Sequence, residues 1–142
     1  MTASLNRFLD AQNQLYLKAL SEIRNGRKES HWMWFIFPQL DGLGRSETAK
    51  FYALRDLAEA QAFLSHPVLG KHLQEISRAV MSSEVSSAGQ LFGHPDDLKL
   101  RSCMTLFSAV PDAPKVFQNI LDKYFDGVRD SLTDALLERQ LP

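Results

Sequence analysis

The sequence lacks several features that mark particular classes of protein. Its single cysteine, Cys103, allows no internal disulfide, which is typical of a reducing compartment. The longest uncharged apolar run, around Trp32 to Leu40, is far shorter than the roughly 20 residues of a membrane-spanning helix. The net charge is −1, whereas nucleic-acid-binding domains carry a concentrated basic surface. We therefore expect a cytoplasmic protein that binds neither membranes nor nucleic acid.

The length and composition indicate one globular domain. The chain has 142 residues, of which 44% are hydrophobic and 23% charged, so one domain over residues 1–142 can bury a real core. The four histidines are scattered, and no pair of His, Cys or Asp residues has convincing metal-ligand spacing. We expect a monomer without a metal site or a cofactor.

The spacing of the apolar residues predicts an all-α fold. Most apolar residues recur every three or four positions, as they do along the buried face of a helix. A compact bundle of six to eight short helices accounts for nearly all of them. Residues 31–37 are the exception, because so short an aromatic run fits either a buried strand or a short helix with Ser30 as its N-cap. The clearest helical stripe is Leu69, Leu73, Ile76 and Val80.

The aromatic run is also part of the candidate site, which extends from Ser30 to Ser46. Trp32 and Trp34 could fill the core by their area alone, or one of them could form the aromatic wall of a ligand pocket. Two residues apart on a helix, they point to different sides, so only one can face a pocket. His31 at the edge of such a pocket is a candidate general acid or base, because the usual pKa of histidine lies near neutral pH.

A glycine-rich turn, Gly42-Leu43-Gly44-Arg45-Ser46, follows the aromatic run. Gly42 and Gly44 would let the backbone approach a ligand, and the start of the next helix would offer N–H groups to an anion. Arg45 adds a forked donor and Ser46 a hydroxyl. The turn lacks the lysine of a phosphate-binding loop. The alternative is a plain loop in which Ser46 caps the next helix.

A third polar group lies on the predicted helix around residues 98–110. Lys99 and Cys103 would share one face of this helix, and Arg101 and Thr105 another. Either face could complete a basic pocket opposite the glycine-rich turn, or Lys99 and Arg101 could form a solvated basic face. Cys103 is a weak candidate nucleophile, because a catalytic thiol needs a nearby base and the sequence does not show that His66, His72 or His94 lies close to it.

Several motifs resemble the family called domain of unknown function 1810. The resemblance runs from about Arg7 to Leu137 and implies a small, mainly α-helical fold, but no activity. The family pattern often has Ser at the position of Cys103, which weakens the case for an essential thiol. The matching segments are Arg7-Phe8, Ala11-Gln12, Gly26-Arg27-Lys28, His31–Gln39, Gly42–Gly44 with Ser46, His66-Pro67 with Leu69-Gly70, Phe92-Gly93, Met104–Phe107, and Lys123-Tyr124-Phe125 followed by Gly127.

Two hypotheses for function remain besides a purely structural role for the aromatic run. In the first, the segment binds a planar anionic molecule such as a nucleotide or an ADP-ribose-like group. A Trp would stack on the base, Gln39 would read its edge, and Arg45 would pair with phosphate, with help from Lys99 or Arg101. In the second, the protein is an interaction module without catalytic activity, and Trp32 or Trp34 is an exposed anchor. An exposed aromatic patch with no concavity beside it would favour this second hypothesis, and a deep pocket that reaches Arg45 would count against it.

Overall fold

The computed structural model describes residues 5–141. All elements of regular secondary structure in this range are helices. The predicted all-α fold is confirmed. This part contains nine helices rather than six to eight, because three of them have only four to six residues. The helices are α1 (Asn6–Arg24), α2 (Met33–Ile36), α3 (Glu47–Tyr52), α4 (Leu57–Ser65), α5 (Leu69–Ser82), α6 (Ala88–Phe92), α7 (Asp96–Ser108), α8 (Val116–Phe125) and α9 (Ser131–Arg139).

Short-range signals set several of the helix ends. Helix α1 ends just before Gly26, whose φ of +88° lies in the left-handed region that favours glycine. Ser46 begins α3, because its Oγ accepts a hydrogen bond from the Ala49 N–H at 3.1 Å. Asp56 begins α4 in the same way, accepting from the Glu59 N–H at 2.8 Å. These caps satisfy amide groups that have no partner within the helix.

The aromatic run forms a short helix, which settles the choice between helix and strand. The prediction that Ser30 caps this helix is wrong, because Trp32 immediately precedes α2 and no side chain caps it. The Ser30 hydroxyl instead donates to Glu22 Oε2 at 2.6 Å, and its backbone N–H donates to Oε1 at 2.9 Å. The buried carboxylate of Glu22 on α1 therefore takes the hydrogen bonds of Ser30.

The buried apolar side chains form one connected cluster around α5 and α7. Helix α5 packs against α1, α4 and α8, and its predicted stripe from Leu69 to Val80 is buried. Helix α7 packs against α4, α6, α8 and α9 and is buried from residue 102 to residue 107. Within residues 5–141, no helix has the combination of length and apolarity that crossing a bilayer requires.

Candidate functional site

The glycine-rich turn and helix α7 meet at a surface cleft of about 360 Å³. The cleft therefore joins the glycine-rich turn to the basic group on α7, which the sequence identified separately. Trp34 of α2 adds part of the aromatic run. The beginning of α9 closes one side. Six predicted site residues line the cleft, namely Trp34, Gln39, Gly44, Arg45, Ser46 and Lys99, and they are joined there by Leu43, Ala49, Pro95, Leu98, Ser102, Asp130 and Leu132.

The side chains of the two tryptophans face different surroundings. Trp32 is fully buried, and its indole Nε1–H donates to Glu22 Oε1 at 2.9 Å, so it belongs to the core and not to the cleft. Trp34 is half-buried and lines the cleft. Among the described residues no acceptor pairs with the Trp34 indole N–H, which leaves it available to a ligand.

Positive charge is in excess beside Trp34. The Lys99 Nζ lies 5.1 Å from the centre of the Trp34 ring and 3.3 Å from Asp96 Oδ1. The other oxygen of Asp96 lies 2.9 Å from the Nζ of Lys28, whose side chain is only 7% exposed. Two ammonium groups thus share the carboxylate of Asp96, and of the three residues only Lys99 lines the cleft. A shared carboxylate neutralises only one of them, which leaves one positive charge in excess.

Arg45 and Asp130 are the other charged residues of the cleft. Arg45 is exposed and forms no ion pair with any residue in the described range 5–141. Asp130 begins α9, because its Oδ2 accepts from the Thr133 N–H at 3.0 Å and from the Thr133 hydroxyl at 2.5 Å. Its negative charge is therefore placed at the positive end of α9, where it stabilises the helix.

The glycines and Ser46 have structural roles that do not require a ligand. Gly42 has a φ of +105° and does not line the cleft. A Cβ atom on Gly44 would overlap the Cβ of Ala49, so the close packing of the turn on α3 excludes a side chain there. Ser46 caps α3, a helix of six residues, as the plain-loop alternative predicted. The positively charged donors that line the cleft are therefore the side chains of Arg45 and Lys99.

Besides Trp32 and Gly42, three further candidate residues lie away from the cleft. His31 is exposed and does not line it, although it was the candidate acid or base. The Arg101 guanidinium lies 5.9 Å from the centre of the Phe125 ring, on another side of α7. Cys103 is fully buried, and burial raises the pKa of its thiol well above the usual value, so it is not a thiolate nucleophile.

The sequence matches a known family over nearly all of its length. The family model described as protein of unknown function (DUF1810) matches residues 2–137. The chain belongs to this family. It is also similar to the crystal structure of the conserved hypothetical protein Rv1873 from Mycobacterium tuberculosis, with 48% sequence identity and a TM-score of 0.92 over 94% of this chain and 96% of that one. A comparison with the curated proteins gives no match.

The DUF1810 family is one of unknown function, so the function has to be inferred from the cleft itself. Sequence reasoning missed two polar residues that line it, Ser102 and Asp130, and also Lys28, which shares Asp96 with Lys99. Lys28 lies in the Gly26-Arg27-Lys28 segment that resembles the family pattern, which gave a signal for it. Ser102 and Asp130 gave no such signal, because their position in the cleft depends on how α7 and α9 pack.

Proposed function

We propose that this member of the DUF1810 family binds a planar anionic small molecule, of the nucleotide or ADP-ribose type, in the cleft between the glycine-rich turn and α7. One observation carries the proposal: an aromatic ring, a guanidinium and an ammonium line the same cleft of about 360 Å³. This volume lies within the range of roughly 300–1,000 Å³ that is typical of small-molecule sites. The residues are Trp34, Arg45 and Lys99.

The charges of the cleft favour an anion. The Arg45 guanidinium presents a planar fork of donors that matches the oxygens of a phosphate or carboxylate. The Lys99 ammonium adds a point charge, and the Lys28 ammonium behind it shares Asp96 with Lys99. The Asp130 carboxylate would oppose an anion. Because it caps α9, the positive end of that helix offsets part of its charge. A phosphate group would therefore lie between Arg45 and Lys99.

The uncharged lining favours a planar and partly apolar group next to that anion. The Lys99 ammonium covers part of the Trp34 ring, so a ligand ring would lie against the part that stays uncovered. Leu98 is 42% exposed and Leu132 50% exposed at the same cleft, which adds apolar surface for the ligand. The half-buried Gln39 offers amide donors and acceptors to the edge of a base.

The proposal concerns binding and includes no reaction step. No histidine or cysteine is among the described residues that line the cleft. The hydroxyl of Ser102 donates to the Leu98 carbonyl at 3.2 Å, as serines within helices commonly do, and the Asp130 carboxylate accepts from Thr133. Among the described residues, no hydrogen bond links the Ser102 hydroxyl to a base that could activate it as a nucleophile.

A thermal-shift screen tests the proposal. The full chain is heated with nucleotides, ADP-ribose, NAD and sugar phosphates, because a ligand that binds only the folded state raises Tm. At about a hundred times the Kd, the expected rise is roughly 5–10 °C for a domain of this size. The rise should disappear in Arg45→Ala and persist in Arg139→Ala, which removes an exposed arginine at the end of α9. A rise that survives in Arg45→Ala would refute the proposed site.

A further inference from the structure

A second polar cluster lies between α1 and α5, away from the residues of the first cleft. It borders a cleft of about 540 Å³. Tyr16 and His72 stack face to face, with ring centres 3.7 Å apart and an angle of 7° between the ring planes. The Tyr16 hydroxyl lies 2.5 Å from Glu75 Oε1 and 3.1 Å from the His72 carbonyl oxygen. The imidazole of His72 is therefore held on one face by an anchored ring.

A buried amide decides which nitrogen of His72 carries the proton. Gln12 is 3% exposed, and its Nε2 lies 2.8 Å from the carbonyl oxygen of Phe35. A carbonyl only accepts, so the NH₂ group of Gln12 must face Phe35 and its Oε1 must face His72. That Oε1 lies 2.8 Å from His72 Nδ1. Because Oε1 also only accepts, Nδ1 carries the hydrogen, and in the neutral ring Nε2 keeps a lone pair.

The surroundings favour the neutral ring and leave Nε2 accessible. Burial lowers the pKa of His72, with an opposing effect from Glu75 and a further lowering from Lys71. Within residues 5–141 Nε2 has no hydrogen-bond partner. This nitrogen is not fully buried, so solvent reaches it. His72 is partly exposed and lines the cleft. A neutral imidazole acceptor with a fixed tautomer thus opens to a concave surface.

We propose that the cleft between α1 and α5 is a second ligand site, in which His72 Nε2 accepts a hydrogen bond from a small molecule that carries an O–H or N–H donor beside an apolar group. The donor is required because Nε2 offers only a lone pair. The apolar group is required because Leu17, 78% exposed, and Val68, 42% exposed, line the same cleft. The proposal is independent of anion binding at Arg45 and Lys99.

The tautomer is tested first on the unmodified full chain. Long-range 1H–15N NMR spectra at neutral pH report which nitrogen of each histidine carries the proton, and the spectrum of His72→Phe identifies the signals of His72. We expect a protonated Nδ1 and an unprotonated Nε2. A protonated Nε2 would overturn the proposal, because the cleft would then present a donor.

Ligand binding is tested with p-cresol, which carries a hydroxyl donor on an apolar ring, and with its methyl ether, which lacks the donor. We expect p-cresol to shift the Nε2 resonance of His72 and to bind the wild type about fivefold more tightly than the ether, which is the typical effect of one hydrogen bond. In His72→Phe the two compounds should bind alike, whereas His31→Phe, which replaces an exposed imidazole outside this cleft, should behave as the wild type.

The comparison on the wild type does not depend on whether His72→Phe folds. Equal affinities of p-cresol and its ether for the wild type would overturn the proposal, and so would binding that leaves the Nε2 resonance unchanged. Either result would show that the imidazole does not recognise the donor. Because neither compound carries a charge, these outcomes say nothing against the proposed anion site.

Discussion

The ammonium of Lys99 lies 5.1 Å from the centre of the Trp34 ring, and both side chains line the same cleft as Arg45. The ring and the cation come from α2 and α7, which are far apart in sequence. A cation above an aromatic face stabilises an exposed site by about 0.5–1 kcal/mol. This pair therefore contributes little to the fold, but it places a positive charge beside an aromatic surface where a planar anion could use both.

Replacing Lys99 should reduce binding more than stability. In Lys99→Gln, we expect the affinity for the anionic ligand found in the thermal-shift screen to fall by about tenfold to a hundredfold, as for the loss of one charge-assisted hydrogen bond. The free energy of unfolding should change by less than about 1 kcal/mol. Isothermal titration and urea denaturation measure the two quantities. Lys18→Gln, which removes an exposed lysine on α1, is the control, and a Lys99 variant with unchanged affinity would count against the site.

The two tryptophans should differ in their effects on stability. Trp32→Ala leaves a cavity in the core and removes a donor from Glu22, so we expect the free energy of unfolding to fall by about 3–5 kcal/mol. Trp34→Ala removes a half-buried ring, and the expected loss is about 1 kcal/mol together with loss of ligand binding. Urea denaturation of both variants checks this, and equal losses would mean that Trp34 is also a core residue.

Glu22 should make stability depend on acid pH. Burial alone would raise the pKa of its carboxyl. Hydrogen bonds from the Ser30 hydroxyl, the Glu29 and Ser30 amides and the Trp32 indole outweigh burial and lower the pKa from 4.5 to about 2. Because the folded-state pKa is the lower one, the stabilisation is complete above pH 4.5 and is lost as the pH falls through about 2. The difference in pKa corresponds to about 3 kcal/mol.

Glu22→Gln isolates this contribution. The variant should be about 2–3 kcal/mol less stable than the wild type at neutral pH. The difference should shrink as the pH is lowered from 4.5 towards 2, because the wild-type carboxyl then takes up a proton as well. Urea denaturation at a series of pH values measures it. A difference that stays constant over this range would show that the charge of Glu22 does not stabilise the fold.

Gly44 should tolerate a side chain only if Ala49 is replaced by glycine. Gly44→Ala places a Cβ against the Cβ of Ala49, and we expect a loss of about 1–3 kcal/mol from overpacking. Ala49→Gly alone should cost about 1 kcal/mol through its lower helix propensity. The double variant should be less destabilised than the sum of the two single variants. Additive effects would show that the two residues do not limit each other.

The helical fold could be predicted because its signals are local. The apolar stripe of α5 and the cap at Ser46 each act within a few residues, and both lie where the sequence placed them. The predicted cap at Ser30 failed because Glu22 attracts its hydrogen bonds from a different helix. A local pattern carries no information about such a competing partner.

Only part of the candidate site could be predicted, because the rest depends on contacts between segments that are distant in sequence. Spacing placed Trp32 and Trp34 on different sides of a helix, but the choice of Trp34 for the cleft depends on Glu22, which binds the indole of Trp32. The meeting of Arg45 with Lys99 depends on the packing of the glycine-rich turn on α7. The cluster of Gln12, Tyr16 and His72 was missed because its members come from two helices and only their packing brings them together.

The most direct test of anion binding at the first cleft is an NMR titration of the 15N-labelled full chain with ADP-ribose and AMP. We expect the largest shifts at the Trp34 indole N–H, at the amides of residues 44–46 and around Lys99, and we expect these shifts to disappear in Arg45→Ala while the variant stays folded. Saturable shifts that map elsewhere, or shifts at this cleft that persist in Arg45→Ala, would contradict the proposal, as would the absence of any shift with both ligands.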